Sequence, residues 1–85
     1  MVSFTYVITD ELGIHARPAR LLIKETEKLE SNVMICKGSR QADGKKIFSL
    51  MNLAAKKGDM LTIQVEGRNE AADAETVKAF LESNL

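Results

Sequence analysis

The chain is short of the side chains on which most small-protein chemistry rests. In 85 residues there are one histidine, one proline, one cysteine, one tyrosine and no tryptophan. The lone Cys36 cannot close an internal disulfide. One His and one Cys, 21 positions apart, do not supply a usual metal site, so no metal is expected. No apolar run approaches the ~20 residues that cross a bilayer, so direct membrane insertion is not expected. The opening Met1-Val2-Ser3-Phe4-Thr5 lacks a basic segment and an apolar stretch, so it does not read as a signal peptide. These absences agree with a reducing cytoplasm. Aromatics are scarce as well: Phe4, Tyr6, Phe48 and Phe80. No RNP-like aromatic pair occurs on a strand, and no Gly-x-x-Gly backbone clamp is present. A nucleic-acid-binding module is therefore a weak alternative, permitted only by local charge.

Net charge is zero, but it is unevenly spread. Residues 15–58 hold ten Lys/Arg against four Asp/Glu, which leaves +6 in the middle of the chain. Such a basic face suits an acidic or phosphorylated partner. The length fits one domain over residues 1–85.

The pattern of apolar residues predicts β-α-β-β-α-β-α. Phe4–Ile8 alternates as a strand, with Phe4, Tyr6 and Ile8 on one face. A helix runs from Ala16 to Leu29, with Ala19, Leu22, Ile23, Thr26 and Leu29 as its buried stripe. Asn32–Cys36 reads as a strand, with Cys36 half-buried, and Arg40–Ala42 as a weaker one. Ile47 to Ala55 reads as a short helix with Lys56 and Lys57 at its end. Leu61–Glu66 alternates as a strand, and Glu70–Leu81 is a helix with Ala74, Val77 and Leu81 inward. Such an order implies an α+β fold: one sheet, mostly antiparallel, covered by helices on one face.

The most informative stretch is Gly13-Ile14-His15-Ala16-Arg17-Pro18-Ala19, which holds the only histidine and the only proline. Pro18 falls in the first helical turn, where its missing N–H breaks no intrahelical bond. A helix start presents unpaired N–H groups and about half a positive charge. Neutral imidazole is a good nucleophile near neutral pH. His15 can therefore take a phosphoryl group, held by the N–H groups of Ala16 and Arg17 and neutralised by the Arg17 guanidinium. Taken alone, the same residues also fit an ordinary solvated helix start.

The whole chain resembles the HPr family of histidine-containing phosphocarriers of the bacterial phosphoenolpyruvate-dependent sugar phosphotransferase system. The motif at 13–19, the element order, the segment Lys45–Gly58 and the glycines flanking the last strand carry the likeness. The resemblance implies an open-faced β-sandwich with a four-stranded antiparallel sheet and three helices on one face. It implies that His15 accepts a phosphoryl group from phosphorylated enzyme I, expected at Nδ1, with Arg17 as the active-site arginine. The group then passes to a histidine on sugar-specific enzyme IIA proteins or domains. On that reading the protein is a carrier more than an enzyme, binds no cofactor and works as a monomer. A nitrogen-branch or regulatory HPr-like protein with dedicated partners is the alternative.

A docking surface is expected beside His15. Ala16, Arg20, Lys24 and Lys28 share one helix face, and Leu21 adjoins it off the buried stripe. In the family the side around Ile47, Phe48 and Met51 binds both partners. Leu50 and Leu53 are expected in the core; Phe48 and Met51 stand open between core and contact. Arg17, Arg20, Lys24, Lys45 and Lys46 are expected to rim this apolar patch. Many Gram-positive relatives carry a regulatory serine just before the middle helix, where this chain has Lys46. Lysine cannot take that phosphate, and loss of a Ser cap costs about 1 kcal/mol. No regulatory serine is therefore expected, since Ser49 lies inside the helix.

Overall fold

The computed structural model describes all of residues 1–85. Its elements are β1 Val2–Val7, α1 Ala16–Glu27, β2 Asn32–Lys37, β3 Arg40–Asp43, α2 Ile47–Met51, β4 Met60–Glu66 and α3 Glu70–Asn84. The strands form one sheet in the order β1-β4-β2-β3, antiparallel throughout. Alternation decides which face is buried. Ile63 of β4 stands opposite Phe4 of β1 and Ile35 of β2, and Ile35 opposite Ala42 of β3. These inward residues join Leu22 of α1, Leu50 of α2 and Val77 and Leu81 of α3 in one core. The opposite face carries Ser3, Thr5, Thr62, Gln64 and Cys36 and has no helix over it. The fold is thus the expected open-faced sandwich.

Helix α1 ends slightly before Leu29, because Lys28 and Leu29 donate to Glu25 and Thr26 in tighter three-residue turns. Its buried Thr26 is a polar member of an apolar stripe. The hydroxyl donates to the Gly44 carbonyl at 2.7 Å, which ties α1 to the β3–α2 turn. Helix α3 continues past Leu81 to Asn84. In its first turn the Asp73 carboxylate is buried and accepts the Ser31 N–H at 3.1 Å.

The largest correction concerns α2, which stops at Met51 rather than Ala55. Leu53 and Ala54 donate to Leu50 and Met51, again three residues back, and Ala54 then adopts φ +51°. This left-handed step turns the chain so that Leu53 and Ala55 both enter the core. Lys56 and Lys57 therefore lie beyond the helix and do not complement its dipole. Lys37 Nζ donates to the Ala54 carbonyl at 3.1 Å, in the turn that follows the helix.

The same turn carries a pH-sensitive anchor. The Asp59 carboxylate accepts the Lys56 N–H at 2.8 Å and lies 3.5 Å from Lys37 Nζ. The Lys56 N–H, then the Lys37 charge, hold its carboxyl below the ordinary carboxylate value. A folded value below the unfolded one means stability that is present above ~3.9 and is lost as pH falls through the folded value. Asp59→Asn is expected to lower the thermal midpoint at neutral pH, with the gap to the parent closing in acid. Melting curves across the acid range check this.

Candidate functional site

The site begins where β1 gives way to α1. Asp10 Oδ1 accepts the Leu12 N–H at 2.8 Å, an Asx turn. The Gly13 N–H donates to the Asp10 carbonyl at 3.0 Å, and Gly13 adopts φ +66°. Buried Ile14 then pins the loop, its N–H donating to the Ala55 carbonyl at 3.0 Å. His15 follows in an extended conformation as the N-cap of α1.

The capping is done by the backbone. The His15 carbonyl accepts the Ala19 N–H at 3.0 Å, and the imidazole makes no capping hydrogen bond. The ring is 36% exposed, with Nε2 at 3.9 Å from Asp10 Oδ1. Ala19 makes the first bond of the helix, so the N–H groups of Ala16 and Arg17 are its free donors, Pro18 having none. His15 and Arg17 line one shallow depression with Asp10, Leu12, Pro18, Leu21 and Asn84.

A second depression adjoins it, lined by Ala16, Arg17, Arg20, Leu21 and Lys24. The structure therefore gathers Ala16, Arg17, Arg20, Leu21 and Lys24, whereas Lys28, expected on the same face, lies further along beside Glu25 and Phe80. Leu21 is 40% exposed and shared by both depressions. Helix α2 neighbours α1. Its Leu50 is buried, as is Leu53 just beyond it, whereas Phe48 is 80% exposed and Met51 partly so. Ile47 is half-buried against the core. Lys46 is the N-cap of α2, exposed, and its side chain makes no capping bond.

One expected rim residue is placed otherwise. Lys45 Nζ donates to the Leu29 carbonyl at 2.8 Å, so it satisfies the end of α1 instead of bordering the patch. Ser49 is half-buried, its hydroxyl accepting the Asp43 N–H at 2.9 Å.

Three site features escape sequence reasoning: Asp10 beside the ring, exposed Leu12, and the anchorage of the loop by Leu85. The Leu85 carbonyl accepts the Asp10 N–H at 2.9 Å and the Thr9 hydroxyl at 2.9 Å. Asp10 has a weak local signal, as the acid that opens an Asx turn before a helix. The Leu85 contact joins residues 76 apart and has no local signal.

Comparison with known proteins agrees with this fold. A family model described as the PTS HPr component phosphorylation site matches residues 2–83. The phosphocarrier protein HPr of Mycoplasma capricolum is 38% identical over 78 residues, covering 92% of this chain and 88% of that protein. Its counterpart in Mycoplasma genitalium is 36% identical over 85 residues, covering 99% and 97%. The solved structure of a Mycoplasma histidine-containing phosphocarrier protein superposes with a TM-score of 0.93 at 35% identity, covering 96% of this chain and 93% of that one. The chain belongs to the HPr family, the phosphocarrier proteins of the phosphotransferase system. No helix is long and apolar enough to cross a membrane.

Proposed function

We propose that His15 accepts a phosphoryl group at Nδ1 from phosphorylated enzyme I and passes it to a histidine on sugar-specific enzyme IIA proteins or domains. One observation carries this reading. The only histidine of an HPr-family chain is an exposed N-cap whose ring makes no capping bond, directly before two free helix N–H groups and Arg17. As the Nδ1 lone pair bonds to phosphorus, the bond from phosphorus to the donor's leaving atom breaks and its electron pair departs with that atom. The phosphoryl oxygens then face the N–H groups of Ala16 and Arg17 at the positive end of α1. The Arg17 guanidinium neutralises them and can bind two at once. Little more is needed, since phosphoryl transfer rests on positioning and charge stabilisation. The protein is a carrier, recharged in each cycle, that works as a cytoplasmic monomer without a cofactor.

Docking falls to Ala16, Arg20, Leu21, Lys24, Lys46, Ile47, Phe48 and Met51. Apolar side chains with a basic rim suit acidic partners that must release quickly. Lys46 in the N-cap position of α2 leaves no hydroxyl there for regulatory phosphorylation. Phe48→Ala is expected to raise the KM for enzyme I by roughly tenfold or more, the scale of an aromatic anchor. Its thermal midpoint should scarcely move, because the ring is 80% exposed. Steady-state phosphorylation and melting curves check both.

The deciding experiment is phosphoryl uptake. The protein is incubated with phosphoenolpyruvate, magnesium and a general enzyme I, and phosphorus is followed by NMR. An acid-labile, base-stable phosphohistidine signal that disappears on adding an enzyme IIA is the expected result. A folded protein that takes up nothing would overturn the sugar-carrier reading in favour of a dedicated branch.

A further inference from the structure

The carboxylate beside the His15 ring lies outside the motif at 13–19. Asp10 is held from several sides. Its N–H donates to the Leu85 carbonyl at 2.9 Å, and its own carbonyl accepts the Gly13 N–H at 3.0 Å. Its Oδ1 accepts the Leu12 N–H at 2.8 Å. That same oxygen lies 3.9 Å from His15 Nε2. A carboxylate fixed so firmly cannot swing away from the ring without undoing the turn that delivers His15. We propose that Asp10 is a positioning residue that keeps the ring proton on Nε2, so that Nδ1 retains the lone pair that attacks phosphorus. The proposal rests on the carrier reading and adds to it how one nitrogen is selected.

The physical argument has two parts. At 3.9 Å the contact is too long for a hydrogen bond and acts through charge. A negative charge favours an N–H pointing toward it over a nitrogen lone pair, so it selects the tautomer protonated at Nε2. During transfer the Nδ1 lone pair becomes the N–P bond while the Nε2 proton stays in place. The ring then gains positive charge on the side that faces the carboxylate. Asp10 stabilises that charge as it develops, by the logic of a His–Asp pair in other nucleophilic sites. On discharge the electron pair of the N–P bond returns to Nδ1 and the ring regains its starting tautomer. No proton enters or leaves.

The arrangement also makes the test clean. Asn in place of Asp10 keeps an oxygen for the Leu12 N–H and removes only the charge. The tautomer ratio of His15 is read from ring nitrogen chemical shifts on the whole protein without a donor. The measurement is made at about pH 9, well above the ordinary histidine range. The parent should sit predominantly with its proton on Nε2. Asp10→Asn should shift the ratio toward Nδ1–H by up to roughly fivefold, the ceiling set by two unit charges at this distance in water. The turnover rate of phosphorylation by enzyme I should fall by roughly the same factor, with KM unchanged. Asp10→Glu, which restores the charge, should recover part of both effects. An Asp10→Asn protein with the parental ratio and rate overturns the proposal. So does one that loses thermal stability and is not rescued by Glu, which would make Asp10 a loop residue only. If the parent protein takes no phosphoryl group, the carrier reading fails. The tautomer shift, measured without a donor, is a separate result.

Discussion

His15→Ala is expected to abolish phosphoryl uptake while leaving the domain folded. The two halves of that expectation rest on different atoms. Uptake requires the imidazole, and there is no second histidine to substitute for it. Folding uses only the His15 backbone, whose carbonyl accepts the first helical bond from Ala19. The ring is 36% exposed and makes no capping bond, so its removal forfeits little buried area. A stability change below about 1 kcal/mol follows, within the range of surface substitutions. Phosphorus NMR on the enzyme I reaction and a melting curve decide the matter together. Residual uptake by the alanine protein would move the acceptor to another side chain.

Gly13→Ala should produce the opposite pattern, a loss of the fold with the reacting ring still present. Gly13 has φ +66°, a conformation that costs a side chain about 1–2 kcal/mol. Space is the greater obstacle. A Cβ would lie 2.7 Å from Lys56 Cα and still closer to the Ala55 carbonyl oxygen, both parts of the backbone. Forced overpacking adds about 1–3 kcal/mol. The sum, roughly 2–5 kcal/mol, is a large part of the ~5–15 kcal/mol of a typical domain. For a chain of this size it lowers the thermal midpoint by ~8–40 °C. Displacement of the 55–56 segment would also free the Ile14 N–H and loosen the delivery of His15. A melting curve within a few degrees of the parent would show that this segment can shift at little cost.

The contrast between these two positions explains how much was legible beforehand. His15, Arg17 and Pro18 are neighbours in the chain, and their chemistry is local, so a helix start beside a lone histidine could be read directly. The α1 stripe and the alternation of β4 were equally plain, because each repeats within one element. The end of α2 was not, since Ala54 takes its left-handed turn to seat Leu53 and Ala55 in the core, a demand of packing. Lys45 departs from the expected rim for a similar reason. Its sequence neighbours suggest a basic rim, but the carbonyl it serves belongs to Leu29, across a β-hairpin. The exposure of Phe48 is set by the orientation of α2, which the apolar pattern of so short a segment does not fix.

The bond between the Asp10 N–H and the Leu85 carbonyl has a kinetic implication. Contacts this distant in sequence form late, because closing a long loop costs entropy that must be met before the contact is made. The loop that carries His15 is completed only when the last turn of α3 docks beside β1. A partly unfolded chain, with α3 undocked, therefore presents the histidine without its organised surroundings. The organised surroundings of His15 thus arrive with the docking of α3, a late event of folding.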